Sequence, residues 1–226
     1  KEQKMNTDVR KAIFGALISS DDYMDAFQRI LSLKLTGKQE RDIALVILHC
    51  VGQEKVYNPF YALVARQFIQ WKHNHLITFK YSFWDWMGQK LEGESLRKIS
   101  HMAQFFSFLI SSLCLPLTIA KKADFLHLSE KEIIFWQMVF GRILTETADE
   151  ETLISIFRSL SGKSKVVKED QEEAVQEVGV NPNVLKTGLA LFLQFHLESV
   201  EADKIPYIKN VPILRSRIAL AKQYLK

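Results

Sequence analysis

The chain has 226 residues, and because soluble domains commonly contain roughly 100–200 residues it is long enough to bury a core. Its composition is 47% hydrophobic with only 9 glycines and 5 prolines, which favours helices over the turn-rich sequences of short-stranded β folds. The formal net charge of +4 permits contact with an anionic partner but excludes the dense basic stripe of a dedicated nucleic-acid binder.

Cap signals predict the first two helices. Thr7-Asp8 is a good N-cap with an acidic first turn, and the first helix is expected to run to about Ser20. Its buried face comprises Ile13, Phe14, Leu17 and Ile18. Ser20 then predicts the N-cap of a second helix, since Asp21 and Asp22 follow it and suit the positive end of the helix dipole. The predicted buried side chains of this second helix are Tyr23, Phe27, Ile30 and Leu31.

The next elements are separated by glycine and proline signals. Gly37 is predicted to end the second helix as a left-handed C-cap. The third helix then buries Ile43, Ala44, Ile47, Leu48 and Val51. Asn58-Pro59 predicts the start of a fourth helix, whose buried face comprises Leu63, Val64, Phe68 and Ile69. A further pair is predicted over about 76–91 and 95–115, split by Glu92-Gly93-Glu94.

The helix pairs start near Thr7, Lys38 and Leu76, at a spacing typical of stacked helical hairpins. We therefore predict an all-α fold of stacked antiparallel helical hairpins, a HEAT-like α-solenoid, over residues 1–115. In such a stack each hairpin buries one face and the inter-helix turns align along one edge. Turns that include Lys38–Arg41 and Glu54–Asn58 are then expected to be presented together.

Residues 116–226 are expected to form a C-terminal helical extension that packs on the first domain. A short helix to about Asp124 precedes a capping box of Ser129 and Glu132. Later helices are predicted at 150–160, 171–177, 182–200 and 211–225, with a polar loop over 161–170. No alternating strand pattern competes with them.

No catalytic, metal or cofactor motif is present, so we predict a protein that is not an enzyme and needs no cofactor. Ser161-Gly162-Lys163-Ser164 ends like a phosphate-binding loop, but Phe157 stands where that loop requires glycine. His73 and His75 are two residues apart and lie on different faces of a helix, which excludes a paired metal clamp. Cys50 and Cys114 lie in apolar helices and are predicted to be buried free thiols of an intracellular protein.

Targeting and aromatic signals are few. No apolar segment follows Lys1, so no signal peptide is expected and the chain resembles a piece of a longer one. The most apolar stretch, 105–117, is too short to cross a bilayer.

Trp84 and Trp86 are two residues apart and cannot point the same way, so one of them is expected to face a partner or the neighbouring hairpin.

Three segments carry a family resemblance: Ile18–Phe27, Lys34–Asp42 and Gln53–Leu63. Together they resemble the MA-3 domain, a stack of helical hairpins found in translation-initiation and RNA-processing factors. Tyr57–Tyr61 and Phe83–Asp85 are most similar to the C-terminal half of nucleolar proteins that carry a middle domain of initiation factor 4G followed by an MA-3 domain.

The resemblance implies a nucleolar scaffold in maturation of small-subunit (18S) ribosomal RNA and 40S ribosome biogenesis. The implied partners are a DEAD-box RNA helicase of the initiation-factor-4A type, proteins of the small-subunit processome and the pre-rRNA itself. Charged and polar side chains near the inter-helix turns are the predicted partner-binding residues: Asp21, Asp22, Asp25, Lys38, Glu40, Arg41, Glu54, Lys55 and Asn58. Alternatively, Asp21 and Asp22 only stabilise the helix dipole.

A second hypothesis is direct RNA binding, or a role as a splicing-associated MA-3 protein. The predicted RNA-contacting residues are Lys163, Lys165, Lys168, Arg215 and Arg217. A solvated linker is the alternative interpretation of the three lysines.

Overall fold

The computed structural model describes residues 8–161, 182–199 and 211–225, and these residues form helices without any β-strand. The α-helices are α1 (Asp8–Ile18), α2 (Tyr23–Ser32), α3 (Lys38–Gln53), α4 (Phe60–Trp71), α5 (His73–Gln89), α6 (Leu96–Ser111), α7 (Glu130–Glu146), α8 (Glu150–Arg158), α9 (Pro182–Leu193) and α10 (Val211–Tyr224). Short 3₁₀ segments cover Leu91–Gly93, Leu117–Lys122 and Ser159–Ser161, and a π-helical turn covers Gln194–Glu198.

The chain divides after Leu115 into two compact units. In the N-terminal unit α1 packs on α2 and α3, α2 packs on α4, α3 packs on α5 and α6, and α4 packs on α5 and α6. The first and second helices of successive hairpins therefore form two layers. The predicted all-α, HEAT-like fold is confirmed.

The core between these layers is rich in phenylalanine. Its largest members are at most 1% exposed: Phe68, Phe79, Phe83, Phe105 and Phe106. Phe83 and Phe106 meet edge to face with ring centroids 4.6 Å apart, an arrangement that aromatic pairs favour. The face predicted for α3 is confirmed, since all five of its side chains are buried.

Two details of the first hairpin differ from the prediction. The N-cap of α2 is Asp22, whose Oδ1 accepts hydrogen bonds from the backbone N–H groups of Met24 and Asp25 at 2.8 Å. Ser20 instead donates its hydroxyl to the carbonyl of Ala16 at the end of α1. Ile18 was expected in the core but is 62% exposed, because α1 ends there and its last side chain projects beyond the packed layer.

The break between α2 and α3 also differs. Gly37 has the positive φ expected of it, 54°, but it precedes α3 instead of ending α2. The left-handed residue just after α2 is Lys34, with φ of 50°. Lys34 donates its backbone N–H to the carbonyl of Leu31, so a non-glycine residue ends this helix.

In the C-terminal unit α10 packs on α7 and α8, and the π-helical turn packs on α7 and α9. The predicted capping box of Ser129 and Glu132 is confirmed at the start of α7. The core of this unit includes Trp136, Phe140, Phe157 and Phe192, each at most 1% exposed. The predicted helix at 171–177 and loop at 161–170 lie outside the described residues, except that Ser161 ends a 3₁₀ turn.

The cysteines are placed as expected, and the two tryptophans of the Trp84–Trp86 pair differ in burial. Cys50 and Cys114 are both buried and free. Trp86 is 4% exposed, whereas Trp84 is only half-buried and meets Tyr81 at a ring distance of 5.3 Å. Among the described residues no helix combines the length and apolarity that spanning a membrane requires.

Candidate interaction surface

Different inter-helix turns lie at the two ends of the N-terminal unit. Since successive helices run in opposite directions, the α1–α2, α3–α4 and α5–α6 turns share one end, and the α2–α3 and α4–α5 turns share the other. Lys38–Arg41 opens α3 and Glu54–Asn58 follows it, so the 16 residues of α3 hold these groups about 24 Å apart. The expectation that both segments are presented together is therefore wrong.

The end formed by the α1–α2 and α3–α4 turns, here called the acidic end, receives six of the nine predicted partner-binding residues: Asp21, Asp22, Asp25, Glu54, Lys55 and Asn58. Arg97, at the start of α6, donates from Nη1 to the backbone carbonyl of Glu54 at 2.9 Å. This bond places the α5–α6 turn at the same end.

Several of these acidic side chains have structural roles. Asp22 caps α2, and the carboxylate of Asp25 accepts from the backbone N–H of Asp21 at 3.1 Å and from Arg29 Nε at 2.8 Å. The hydrogen bond from the Asp21 backbone, followed by the contacts with Arg29, lowers the pKa of Asp25. Asp21 itself is exposed. The dipole interpretation thus holds for Asp22 as a cap, and Arg29 balances the charge of Asp25, while the carboxylates of Asp21 and Asp22 remain exposed.

Side-chain hydrogen bonds hold the α3–α4 turn in place. Tyr61 donates its hydroxyl to Glu54 Oε1 at 2.8 Å, and Asn58 Oδ1 accepts from the backbone N–H of Phe60 at 3.0 Å. The ring of Tyr57 lies against His101, with centroids 6.0 Å apart. Lys55 is exposed and forms no ion pair with the residues that the structure describes.

A cleft of about 280 Å³ opens beside this turn. Its lining comprises Phe14, Ile18, His49, Cys50, Gln53, Glu54 and Tyr61. Ile18 at its rim is 62% exposed and Val56 in the adjoining turn is 79% exposed. The acidic end therefore combines exposed carboxylates, which lie beside the exposed cations Lys55, Lys90 and Arg97, with exposed apolar side chains, a combination that suits a protein partner.

Two titratable side chains in the cleft, Cys50 and His49, are affected by burial. Burial raises the pKa of the Cys50 thiol to about 12, which favours the protonated thiol near neutral pH. Burial, with a smaller effect of Lys98, lowers the pKa of His49. In the described ranges no cluster of three or more histidine, cysteine, aspartate or glutamate side chains could hold a metal ion.

The other three predicted partner-binding residues lie at the opposite end. Glu40 pairs with Lys72 Nζ at 2.9 Å, whereas Lys38 and Arg41 are exposed and have no ion-pair partner within the described part of the chain. The sequence signal that could have separated the two groups is helix direction: residues at the start and at the end of one helix cannot share an end.

The predicted RNA-contacting residues are only partly placed. Arg215 is exposed on α10. Arg217 donates from Nη1 to the carbonyls of Leu144 and Thr147 at 3.1 and 2.8 Å, so it holds the C-terminal end of α7. Its guanidinium is engaged within the unit, which makes Arg215 the better candidate for a phosphate contact. Lys163, Lys165 and Lys168 lie outside the described residues.

Comparison with known proteins places this architecture in a family. The model of the MA3 domain matches residues 9–116. Nucleolar MIF4G domain-containing protein 1 of Mus musculus is 32% identical over 227 residues, which cover 100% of this chain and 24% of the relative. Suppressor of glycerol defect protein 1 of Schizosaccharomyces pombe is 34% identical over 199 residues, covering 85% of this chain and 26% of that relative.

A more distant relative carries a splicing name. Pre-mRNA-splicing factor CWC22 of Mycosarcoma maydis is 20% identical over 212 residues, which cover 91% of this chain and 22% of that protein. The chain thus spans about a quarter of the length of the curated relatives it matches.

Proposed function

Because the chain belongs to the MA3 domain family and its relatives are nucleolar MIF4G-type proteins, we propose that it is a non-catalytic interaction scaffold in small-subunit ribosome biogenesis. In this role it acts in 18S pre-rRNA processing beside a DEAD-box RNA helicase of the initiation-factor-4A type and other pre-ribosomal proteins. The predicted nucleolar location is confirmed by the relatives.

The proposal is supported by the carboxylates that the fold brings together at the acidic end. Asp21, Asp22 and Asp25 are brought to the same end as Glu54, although the two groups are about 30 residues apart in sequence. Exposed carboxylates at such a rim attract a basic partner and accelerate its association. We assign this end to the arginine- and lysine-bearing surface of a helicase domain.

The apolar side chains at the same end would supply affinity. Ile18 and Val56 are exposed beside the cleft, and an apolar anchor of the partner that is buried there would contribute about 25 cal/mol for each Å² removed from water. Charge would then set the rate and orientation of docking, and the cleft would hold the complex together.

The test is a titration of the purified helicase with the 226-residue chain carrying Asp21→Lys, Asp22→Asn and Glu54→Gln. Asparagine can still cap α2, and glutamine can still accept the Tyr61 hydroxyl, so the fold is retained while charge is lost or reversed. Affinity should fall at least about tenfold, or ~1.4 kcal/mol. The difference should shrink at high salt, which screens exposed charges.

Asp8→Lys is the matched control, since Asp8 is an exposed carboxylate at the start of α1, at the opposite end of the same unit. It should leave the affinity unchanged. Unchanged binding by the triple variant with an intact fold, or an equal loss in the control, would remove the acidic end from the proposal. Rescue of depleted cells then tests the pathway, with 18S precursors expected to accumulate when the triple variant replaces the wild type.

The second candidate function, a splicing-associated scaffold, is favoured by the similarity to CWC22 over 91% of the chain. It predicts retained introns with normal 18S precursors in depleted cells. Sequencing total RNA and probing pre-rRNA in the same depletion distinguishes the two functions.

A further inference from the structure

The end of the N-terminal unit opposite the acidic end carries a different set of exposed side chains. It is formed by the start of α1, the α2–α3 turn, the start of α3 and the junction of α4 with α5, and we call it the basic end. Its exposed cations are Lys11, Lys34, Lys38 and Arg41. None of these four forms an ion pair with a residue that the structure describes.

Two of the acidic residues at the basic end are neutralised by their neighbours. Asp42 accepts from Arg10 Nε at 2.7 Å, and Glu40 accepts from Lys72 Nζ at 2.9 Å. Both carboxylates are largely covered, with 18% and 19% of their side-chain surface exposed. Among the described residues of this end the exposed charge is therefore positive, with Asp8 at the start of α1 as the one opposing group.

An exposed tryptophan lies at the same end of the unit. Trp71, the last residue of α4, is 52% exposed, yet its ring is held by aromatic neighbours. It stacks on His75 at 5.8 Å with an interplanar angle of 27°, and it meets Phe27 and Phe68 edge to face at 6.1 and 6.4 Å. The Nζ of Lys72 lies 6.0 Å from its ring centroid.

Contacts between these elements hold the end together. The Glu40–Lys72 pair links the first turn of α3 to the residue after Trp71, and the Phe27–Trp71 contact links α2 to the same ring. Gln39 Oε1 accepts from the backbone N–H of Thr36 and holds the α2–α3 turn on the start of α3. The basic end thus carries exposed cations and a half-exposed, positioned indole on elements that contact one another.

We propose that the basic end binds single-stranded RNA, with Lys34, Lys38 and Arg41 contacting phosphates and Trp71 stacking on an unpaired base. An isolated cation cluster would suit any polyanion, but the positioned tryptophan favours nucleic acid, because every base presents an aromatic face. A duplex keeps its bases stacked on one another and offers no face to Trp71. This surface differs from the predicted lysines at 163–168 and from Arg215.

The two proposed binding sites lie at opposite ends of the N-terminal unit. RNA held at the basic end and a helicase held at the acidic end would lie on opposite ends of α3, about 24 Å apart. The RNA proposal does not depend on the helicase contact, because the two ends share no side chain.

The test is fluorescence anisotropy of the 226-residue chain with a labelled single-stranded RNA of about 12 nucleotides, which spans a typical site. The double variant Lys38→Glu, Arg41→Glu should weaken binding at least about tenfold at low salt. Its plot of log Kd against log salt should lose about 1.4 in slope, since each phosphate contact on a single strand contributes ~0.7. Lys55→Glu with Lys90→Glu, two exposed lysines at the acidic end, is the matched control and should retain most of the affinity.

Stacking is tested separately. Trp71→Leu should weaken single-stranded RNA binding roughly fivefold or more, whereas Trp71→Phe should restore most of it. Thermal unfolding of both variants verifies that the aromatic neighbours still pack. A duplex of the same sequence and a poly-glutamate peptide of equal charge should bind more weakly and should not respond to Trp71→Leu.

Three results would each overturn the proposal. The first is RNA affinity that the Lys38, Arg41 double variant leaves unchanged. The second is equal affinity for poly-glutamate, which would make the surface a site for acidic protein. The third is a folded Trp71→Leu chain that binds RNA as tightly as the wild type, which would exclude base stacking.

Discussion

The acidic and basic ends of the N-terminal unit are made from the same helices but are held by different interactions. At the acidic end the turns depend on polar contacts: the Asp22 cap, the Tyr61–Glu54 hydrogen bond and the Arg97 bond to the Glu54 carbonyl. At the basic end a cluster of Phe27, Phe68, Trp71 and His75 fixes the surface from beneath. Buried aromatic area contributes more free energy than single exposed hydrogen bonds, so the basic end should be the more stable of the two.

Phe68→Ala should produce the largest effect, because it removes a side chain that is 0% exposed and touches Phe27, Trp71 and His75. A loss of about 3–5 kcal/mol in the free energy of unfolding is expected, measured by chemical denaturation. Phe14→Ala, in the half-buried wall of the acidic-end cleft, serves as the comparison and should cost clearly less. An equal or larger loss for Phe14→Ala would contradict the predicted difference in stability between the two ends.

Acid should destabilise the basic end through His75. Burial, with Lys72 as a smaller contributor, lowers the pKa of His75 below its ordinary 6.5, while Glu40 acts in the opposite direction. The unfolded chain then takes up the proton first as the pH falls, so stability is complete above about pH 6.5 and declines below it. The slope for one such group is at most about 1.4 kcal/mol per pH unit.

His75→Phe should flatten this pH dependence, and it should cost little at neutral pH because Nε2 of His75 is buried without a hydrogen-bond partner. His49 at the acidic end also has a lowered pKa but is only half-buried, so His49→Gln should flatten it less. A slope in His75→Phe as steep as that of the wild type would contradict the assignment.

Asp22→Ala should have the smallest effect, about 1 kcal/mol, through loss of the α2 cap. Asp22→Asn keeps an acceptor for Met24 and Asp25 and should retain most of that stability. Comparing the two variants separates the cap from the charge at the acidic end. If asparagine destabilises as much as alanine, the carboxylate charge and not the hydrogen bond stabilises α2.

Local signals predicted most helices because their causes lie within a few residues. The capping box of Ser129 and Glu132 and the apolar face of α3 depend only on spacing along one helix, and both are confirmed. The errors arose where two local signals compete. Ser20 and Asp22 are both good caps, but the Ser20 hydroxyl bonds to Ala16 and Asp22 caps α2. Lys34, and not Gly37, is the left-handed residue that follows α2.

The candidate site was predictable only in part. Its residues were chosen because they lie near helix ends, and six of the nine share the acidic end. Lys38, Glu40 and Arg41 separate from them because a helix of 16 residues keeps its two ends apart. Trp71 was missed, since a tryptophan at helical spacing is ordinarily a core residue and only the end of α4 leaves it half-exposed.

The sequence by itself determined that this protein is helical, where most helices begin and end, and the family to which it belongs, because caps, periodicity and motif residues are local properties. The tertiary structure decided which turns meet. That outcome depends on the alternating direction of packed helices and on contacts between distant residues, such as Arg97 with Glu54 and Lys72 with Glu40. The packing of the helices thereby places the charged side chains of this sequence at an acidic end and a basic end.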